Sequence, residues 1–132
     1  MIGLDTNVLV RYLTQDDPIQ AKIASEFISL NCTEKTPAFV GHIVLCELVW
    51  VLECNYKQSK ETIILVIQEL LQISQLEIFQ PEVVWRALND FKNSNADFSD
   101  HLIAGSNLAN GCKKTVTFDL KASKQPLFQI LK

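Results

Sequence analysis

Alternation is the feature that most constrains what this chain can fold into. Five short runs rich in apolar or β-branched residues read as strands: Ile2–Leu4, Pro37–Val40, Leu76–Phe79, Lys113–Phe118 and Phe128–Leu131. Longer segments with helical spacing separate most of them. Parallel strands need such crossovers, so the alternation predicts a parallel sheet covered by helices on both faces. Helical segments outnumber strands, which places helix pairs between some of them. With 132 residues and no repeat, linker or low-complexity stretch, one domain over 1–132 is expected.

Several helix boundaries are legible. Asp17 is a plausible N-cap, with Pro18 in the first turn and Ile19, Ile23, Phe27 and Leu30 at helical spacing behind it. The run Ile43–Tyr56 is so apolar that a helix buried on most sides is expected. Ser59 and Pro81 each open another helix. Ser99 is expected to cap the helix Asp100–Asn110, which Gly111 closes.

The chain is 48% hydrophobic, which argues against disorder. No apolar run approaches the roughly 18 residues of a membrane span, and no basic-then-apolar leader opens the sequence. A cytoplasmic protein without membrane association is expected. Cys32, Cys46, Cys54 and Cys112 include no C-x-x-C pair and are expected to be buried, reduced thiols. The net charge of −3 argues against a broad basic face for nucleic acid. It leaves room for a nucleic-acid enzyme whose positive charge comes from metal ions.

The acids carry the chemistry. In open α/β sheets ligands gather at the carboxyl ends of strands, and Asp5 and Asp119 both follow strand-like runs. Taken singly, each is more often a cap or turn residue. Glu47 is sharper, because it interrupts the apolar run IVLCELVWVL, and glutamate is rarely buried without a partner. Asp97 and Asp100 stand three apart at a helix start, where the dipole also favours acids. If Asp5, Glu47, Asp100 and Asp119 converge, like charges at 4 Å repel by roughly 4 kcal/mol at an effective dielectric near 20. Such a cluster needs a cation or bound protons. An all-oxygen donor set suits Mg²⁺ or Mn²⁺, and no Cys/His set with zinc spacing competes. His42 and His101 read as isolated surface or core histidines. Carboxylate-held Mg²⁺ polarises phosphodiesters and activates water, the chemistry of metal-dependent nucleases. It requires no phosphate loop of the G-x-x-x-x-G-K-[ST] type, and none is present.

Taken together, MIGLDTNVLVRYL, ELVWVLE, ADFSDHLIAGSNLA and TFDLKA resemble the PIN-domain ribonucleases, and within them the VapC toxins of bacterial toxin–antitoxin systems. The resemblance covers nearly the whole chain, with the motifs in order. It implies an α/β fold, a three-layer α/β/α sandwich with a mainly parallel central sheet, and an Mg²⁺- or Mn²⁺-dependent endoribonuclease. By motif, Asp5, Glu47, Asp100 and Asp119 correspond to the catalytic acids. Asp5 and Asp100 would be the principal metal ligands, with Glu47 and Asp119 acting directly or through water. Thr6 and Asn7 correspond to residues that orient the first aspartate, Thr117 to a hydroxyl near the fourth acid, and Asp97 to an acidic neighbour of the third. Arg11, Lys121 and Lys124 are candidates for RNA phosphates, with solvated surface charge as the blander role. The resemblance further implies an antitoxin partner and a homodimer, for which the apolar helices between residues 43 and 73 could supply surface. One departure stands out: His42 and Ile43 replace the Ser or Thr often found shortly before the glutamate, so a hydroxyl that would support the glutamate or cap its helix is expected to be missing unless His42 substitutes for it.

Other readings fit less well. A haloacid-dehalogenase-like phosphatase wants a second aspartate where Asn7 stands. A receiver wants an early acidic pair after a strand, and Asp16 and Asp17 follow none. A non-catalytic interaction domain with a residual acid pocket has no reason to keep all four acids.

Overall fold

The computed structural model describes Met1–Lys132 as two compact units, Met1–Phe79 and Gln80–Lys132. The first unit contains β1 (Ile2–Gly3), α1 (Thr6–Leu13), α2 (Pro18–Asn31), β2 (Ala38–Val40), α3 (His42–Cys54), α4 (Lys60–Gln72) and β3 (Leu76–Ile78). Its three strands pair in parallel in the order β1-β2-β3, with Ile2 opposite Ala38 and Val40 opposite Ile78. A helix pair links each strand to the next, as the count of helical segments requires.

The second unit contains α5 (Pro81–Lys92), α6 (Phe98–Ala109), β4 (Thr115–Thr117), α7 (Leu120–Ser123) and β5 (Phe128–Ile130). Strands β4 and β5 also pair in parallel, with Thr115 opposite Phe128. All five expected strands are present, and every pairing is parallel. The strands hydrogen-bond as one set of three and one set of two.

Side chains set the ends of these elements. Asp17 accepts from the Gln20 N–H at 3.0 Å and caps α2. Ser59 accepts from the Thr62 N–H and caps α4. Gly111 has φ +91°, a left-handed conformation that glycine adopts without strain. Its N–H bonds the Leu108 carbonyl and the Cys112 N–H bonds the Asn107 carbonyl, a Schellman closure of α6. Helix α6 packs on α5, and Gly105 allows the close approach, since a Cβ there would stand 3.2 Å from Val83 Cγ1.

Two expectations need correction, on α3 and on the cysteines, and α2 shows a buried face that its spacing alone did not identify. Helix α2 forms as read, but Ile19, Ile23 and Leu30 point to solvent, and Ala21, Ala24 and Ile28 make its buried face. The larger side chains gave the helical spacing, while the smaller ones permit close packing. Helix α3 is buried along one stripe only, at Leu45, Leu48, Val49 and Leu52, with Ile43 and Trp50 exposed. Of the four free cysteines only Cys32 is buried, and Cys54 and Cys112 are exposed. No helix is long and apolar enough to cross a membrane.

Candidate active site in two acidic clefts

In the first unit the acids are positioned by the start of α1. Asp5 is its N-cap residue in extended conformation, and its Oδ1 accepts from the Thr6 N–H at 2.8 Å. The capping role and a role in a site are compatible, because the cap uses one carboxylate oxygen. Thr6 is buried, and its hydroxyl donates to Glu47 Oε1 at 3.2 Å. That bond ties the first turn of α1 to the middle of α3. Asp5, Thr6, Asn7 and Glu47 line one cleft of about 540 Å³. Glu47 is exposed rather than enclosed by its apolar neighbours, since α3 buries only the opposite stripe.

The departure at His42 is resolved by the same bond. The His42 ring nitrogen Nε2 lies 2.6 Å from the Phe79 carbonyl oxygen, and its ring packs on the Phe79 ring. His42 therefore fastens the start of α3 to the end of β3. The hydroxyl that supports Glu47 comes from Thr6, 41 residues away in sequence.

Arg11 lines the same cleft with its guanidinium already engaged. Its Nε donates to Gln20 Oε1 at 2.8 Å, and its Nη1 lies 3.4 Å from both Asp16 Oδ1 and the Tyr56 hydroxyl oxygen. The Tyr56 hydroxyl donates to Asp16 Oδ2 at 2.7 Å, and Thr14 Oγ1 donates to Asp16 Oδ1 at 2.8 Å. These hydrogen bonds, Tyr56 foremost, hold the Asp16 carboxyl below its ordinary range, and the Arg11 charge adds to them. Asp16 was weighed in the sequence only as one of an acidic pair, and its link to Tyr56 went unread. They are 40 residues apart, and neither falls in a motif.

In the second unit Asp97 occupies the N-cap position of α6, two residues before the expected cap at Ser99. Its carboxylate makes no capping hydrogen bond, which leaves it available to the neighbouring cleft. Asp100 follows in the first turn. Asp119 caps α7, its Oδ1 accepting from the Ala122 N–H at 3.0 Å. The Asp119 N–H in turn donates to Thr117 Oγ1 at 3.0 Å, so that hydroxyl shapes the turn carrying the acid. Asp97, Asp100, Asp119, Leu120 and Lys121 line a cleft of about 380 Å³. Lys124 stands at the C-cap of α7, outside that lining.

The Asp100 carboxyl is pushed above its ordinary range. Burial is the largest cause, and the charges of Asp97 and Asp119 add to it. A hydrogen bond from the Asp97 backbone N–H and the nearby His101 oppose the shift. A group placed this way gains from a cation. The donors in both clefts are oxygens, the chemistry that hard divalent cations select. No three His, Cys, Asp or Glu side chains stand close enough to form a ready-made ligand set. His101 is buried, with Nε2 2.6 Å from Ser94 Oγ, and so belongs to the packing of α6.

The structure thus brings Asp5, Thr6, Asn7, Arg11 and Glu47 to one cleft, and Asp97, Asp100, Asp119 and Lys121 to another. A family model described as PIN domain matches residues 2–126. No curated protein gives a significant match.

Proposed function

The chain belongs to the PIN-domain family, whose members are typically nucleases; from that premise we propose that it is an Mg²⁺-dependent endoribonuclease and the toxin of a VapBC-type toxin–antitoxin module. The observation that carries this reading is the match over residues 2–126, which spans every one of the four acids. In this reading the whole chain acts as a single nuclease domain. Asp5 and Asp100 are the principal metal ligands, and Glu47 and Asp119 complete the set directly or through water. Mn²⁺ substitutes for Mg²⁺.

When bound, a divalent cation polarises the phosphodiester and lowers the pKa of a water. The chain's own residues hold the donors in place. The Thr6 N–H fixes Asp5, the Thr6 hydroxyl orients Glu47, and the Ala122 N–H fixes Asp119. Burial of Asp100, with the charges of Asp97 and Asp119 adding to it, leaves a carboxyl whose charge a cation would relieve. Thr117 steadies the Asp119 turn. Asn7, Arg11 and Lys121 face the clefts and are available to the RNA backbone.

The proposed partners are RNA, an antitoxin and a second copy of this chain, in the cytoplasm. Apolar surface for the protein partners is present at Ile19, Ile23 and Leu30 on α2, and at Ile43, Trp50 and Leu65 on α3 and α4. The deciding experiment is cleavage of total cellular RNA with Mg²⁺ and with EDTA, mapping the cut sites. Discrete cuts that vanish in EDTA support the reading. An absence of cleavage, or cleavage indifferent to EDTA, overturns it.

A further inference from the structure

We propose that the end of the first cleft away from Asp5 and Glu47 is a nucleotide subsite, in which Arg11 grips an RNA phosphate next to the scissile one and Asp16 and Tyr56, which line the same end, are positioning residues that hold Arg11 ready. The inference rests on the nuclease reading above and specifies how that site takes its substrate.

The cleft runs between two helical stripes. Thr6, Asn7, Val10 and Arg11 line it from α1, and Glu47, Val51 and Asn55 line it from α3 and its C-cap. Both sets follow the i, i+4 spacing of a single helix face. The Thr6–Glu47 bond joins the stripes at the acid end, and the Arg11–Tyr56 bond joins them further along. The ties stand five helical steps apart on α1 and nine steps apart on α3 and its extension, about 7.5 to 13.5 Å of groove at 1.5 Å per helical residue. The volume of about 540 Å³ falls within the several-hundred-Å³ range of small-ligand sites. Such a groove accommodates a nucleotide next to the acids.

The guanidinium is built as a phosphate receptor. Gln20, Asp16 and Tyr56 occupy Nε and Nη1 and fix the plane of the group, leaving Nη2 uncommitted. Asp16 is in turn held by Thr14 and Tyr56. The side-chain entropy of Arg11 is therefore lost on folding rather than on binding, which favours the bound complex. A pair between Arg11 and Asp16 alone, at a partly exposed site, would add little to stability. Converging Thr14, Gln20 and Tyr56 on it is better accounted for by orientation than by stability. Asn55 and Asn7 offer amides at the same cleft, each both donor and acceptor toward sugar or base.

The test is fluorescence anisotropy with a labelled mixed-sequence oligoribonucleotide in EDTA, paired with steady-state cleavage in Mg²⁺. Arg11→Ala should weaken binding about tenfold, the equivalent of one charge-assisted hydrogen bond, with the loss appearing in KM rather than kcat. Tyr56→Phe keeps the ring and removes only the hydroxyl, and should weaken binding about threefold in the same direction. Arg11→Lys should not restore affinity, because an ammonium cannot keep the planar set of bonds. Lys22→Ala, which removes an equal charge from the exposed face of α2, should leave binding within about twofold. Wild type that binds and cleaves RNA alongside an Arg11→Ala variant of equal affinity and KM overturns the subsite alone. So does a loss confined to kcat, or a loss from Lys22→Ala as large as that from Arg11→Ala. Wild type that neither binds nor cleaves RNA overturns the nuclease reading itself.

Discussion

The two acidic clefts handle negative charge in different ways. In the first, each acid has a donor: Asp5 the Thr6 N–H, Glu47 the Thr6 hydroxyl, and Asp16 both Thr14 and Tyr56. In the second, Asp97 makes no cap bond, and Asp100 is raised by burial and by two neighbouring carboxylates. The first cleft gives every acid a hydrogen-bond donor, whereas the second, in which Asp119 and Asp100 also accept backbone hydrogen bonds, adds a partly buried carboxyl whose charge a cation would relieve.

The largest effect expected from this contrast is metal linkage. Mg²⁺ or Mn²⁺ at a hundred times its dissociation constant should stabilise the fold by about 2.7 kcal/mol, read as a rise in melting temperature. Asp100→Asn should shrink that rise strongly, because it removes both a proposed ligand and the carboxyl that burial and its neighbours push up. An undiminished rise in the variant would break the contrast.

Thr6→Val comes next and probes the geometric cleft. It keeps the shape and removes the only bond that joins α1 to Glu47. Cleavage should fall about tenfold and stability by about 1 kcal/mol, measured by kinetics and urea unfolding. An active variant of unchanged rate would mean that Glu47 is placed by α3 alone.

The smallest effect is in the pH dependence of the metal-free protein, where the two clefts should carry opposite signs. The folded pKa of Asp100 is raised, so its contribution favours folding below the ordinary aspartate pKa of about 4. That contribution is lost as pH rises through the higher folded value. The folded pKa of Asp16 is lowered, so its contribution is present above about pH 4 and is lost as pH falls through the lower folded value. Difference curves of unfolding free energy for Asp100→Asn and Asp16→Asn against wild type, in EDTA, should therefore slope in opposite directions. Curves of the same sign would show that the clefts do not differ in the way described.

Legibility in the sequence followed the range of the interactions. The five strands, the caps at Asp17 and Ser59 and the closure at Gly111 were readable because caps and turns are set within a few residues. The faces of α2 and α3 were not. Helical spacing finds a stripe but cannot say whether Ile23 or Ala24 meets the rest of the unit, which tertiary packing decides. The cap of α6 was misplaced by two residues because Asp97 and Ser99 carry the same local signal. Short α7 was hidden, since four residues offer no periodicity. The acids could be picked out one by one, and the bonds that make a site of them could not. Thr6 to Glu47 and Tyr56 to Asp16 span 41 and 40 residues, and no spacing rule reaches that far.

The most direct test of the central claim, that acids from both clefts serve one metal-dependent nuclease, is RNA cleavage by wild type, Asp5→Asn and Asp100→Asn, side by side in Mg²⁺ and in EDTA. Asparagine is as good an N-cap as aspartate, so Asp5→Asn should remain folded by circular dichroism. The account predicts cleavage by wild type in Mg²⁺ only, and a loss of about 10³-fold or more in each variant, the rate equivalent of about 4 kcal/mol. Full cleavage by either variant, in preparations free of contaminating nuclease, would contradict it.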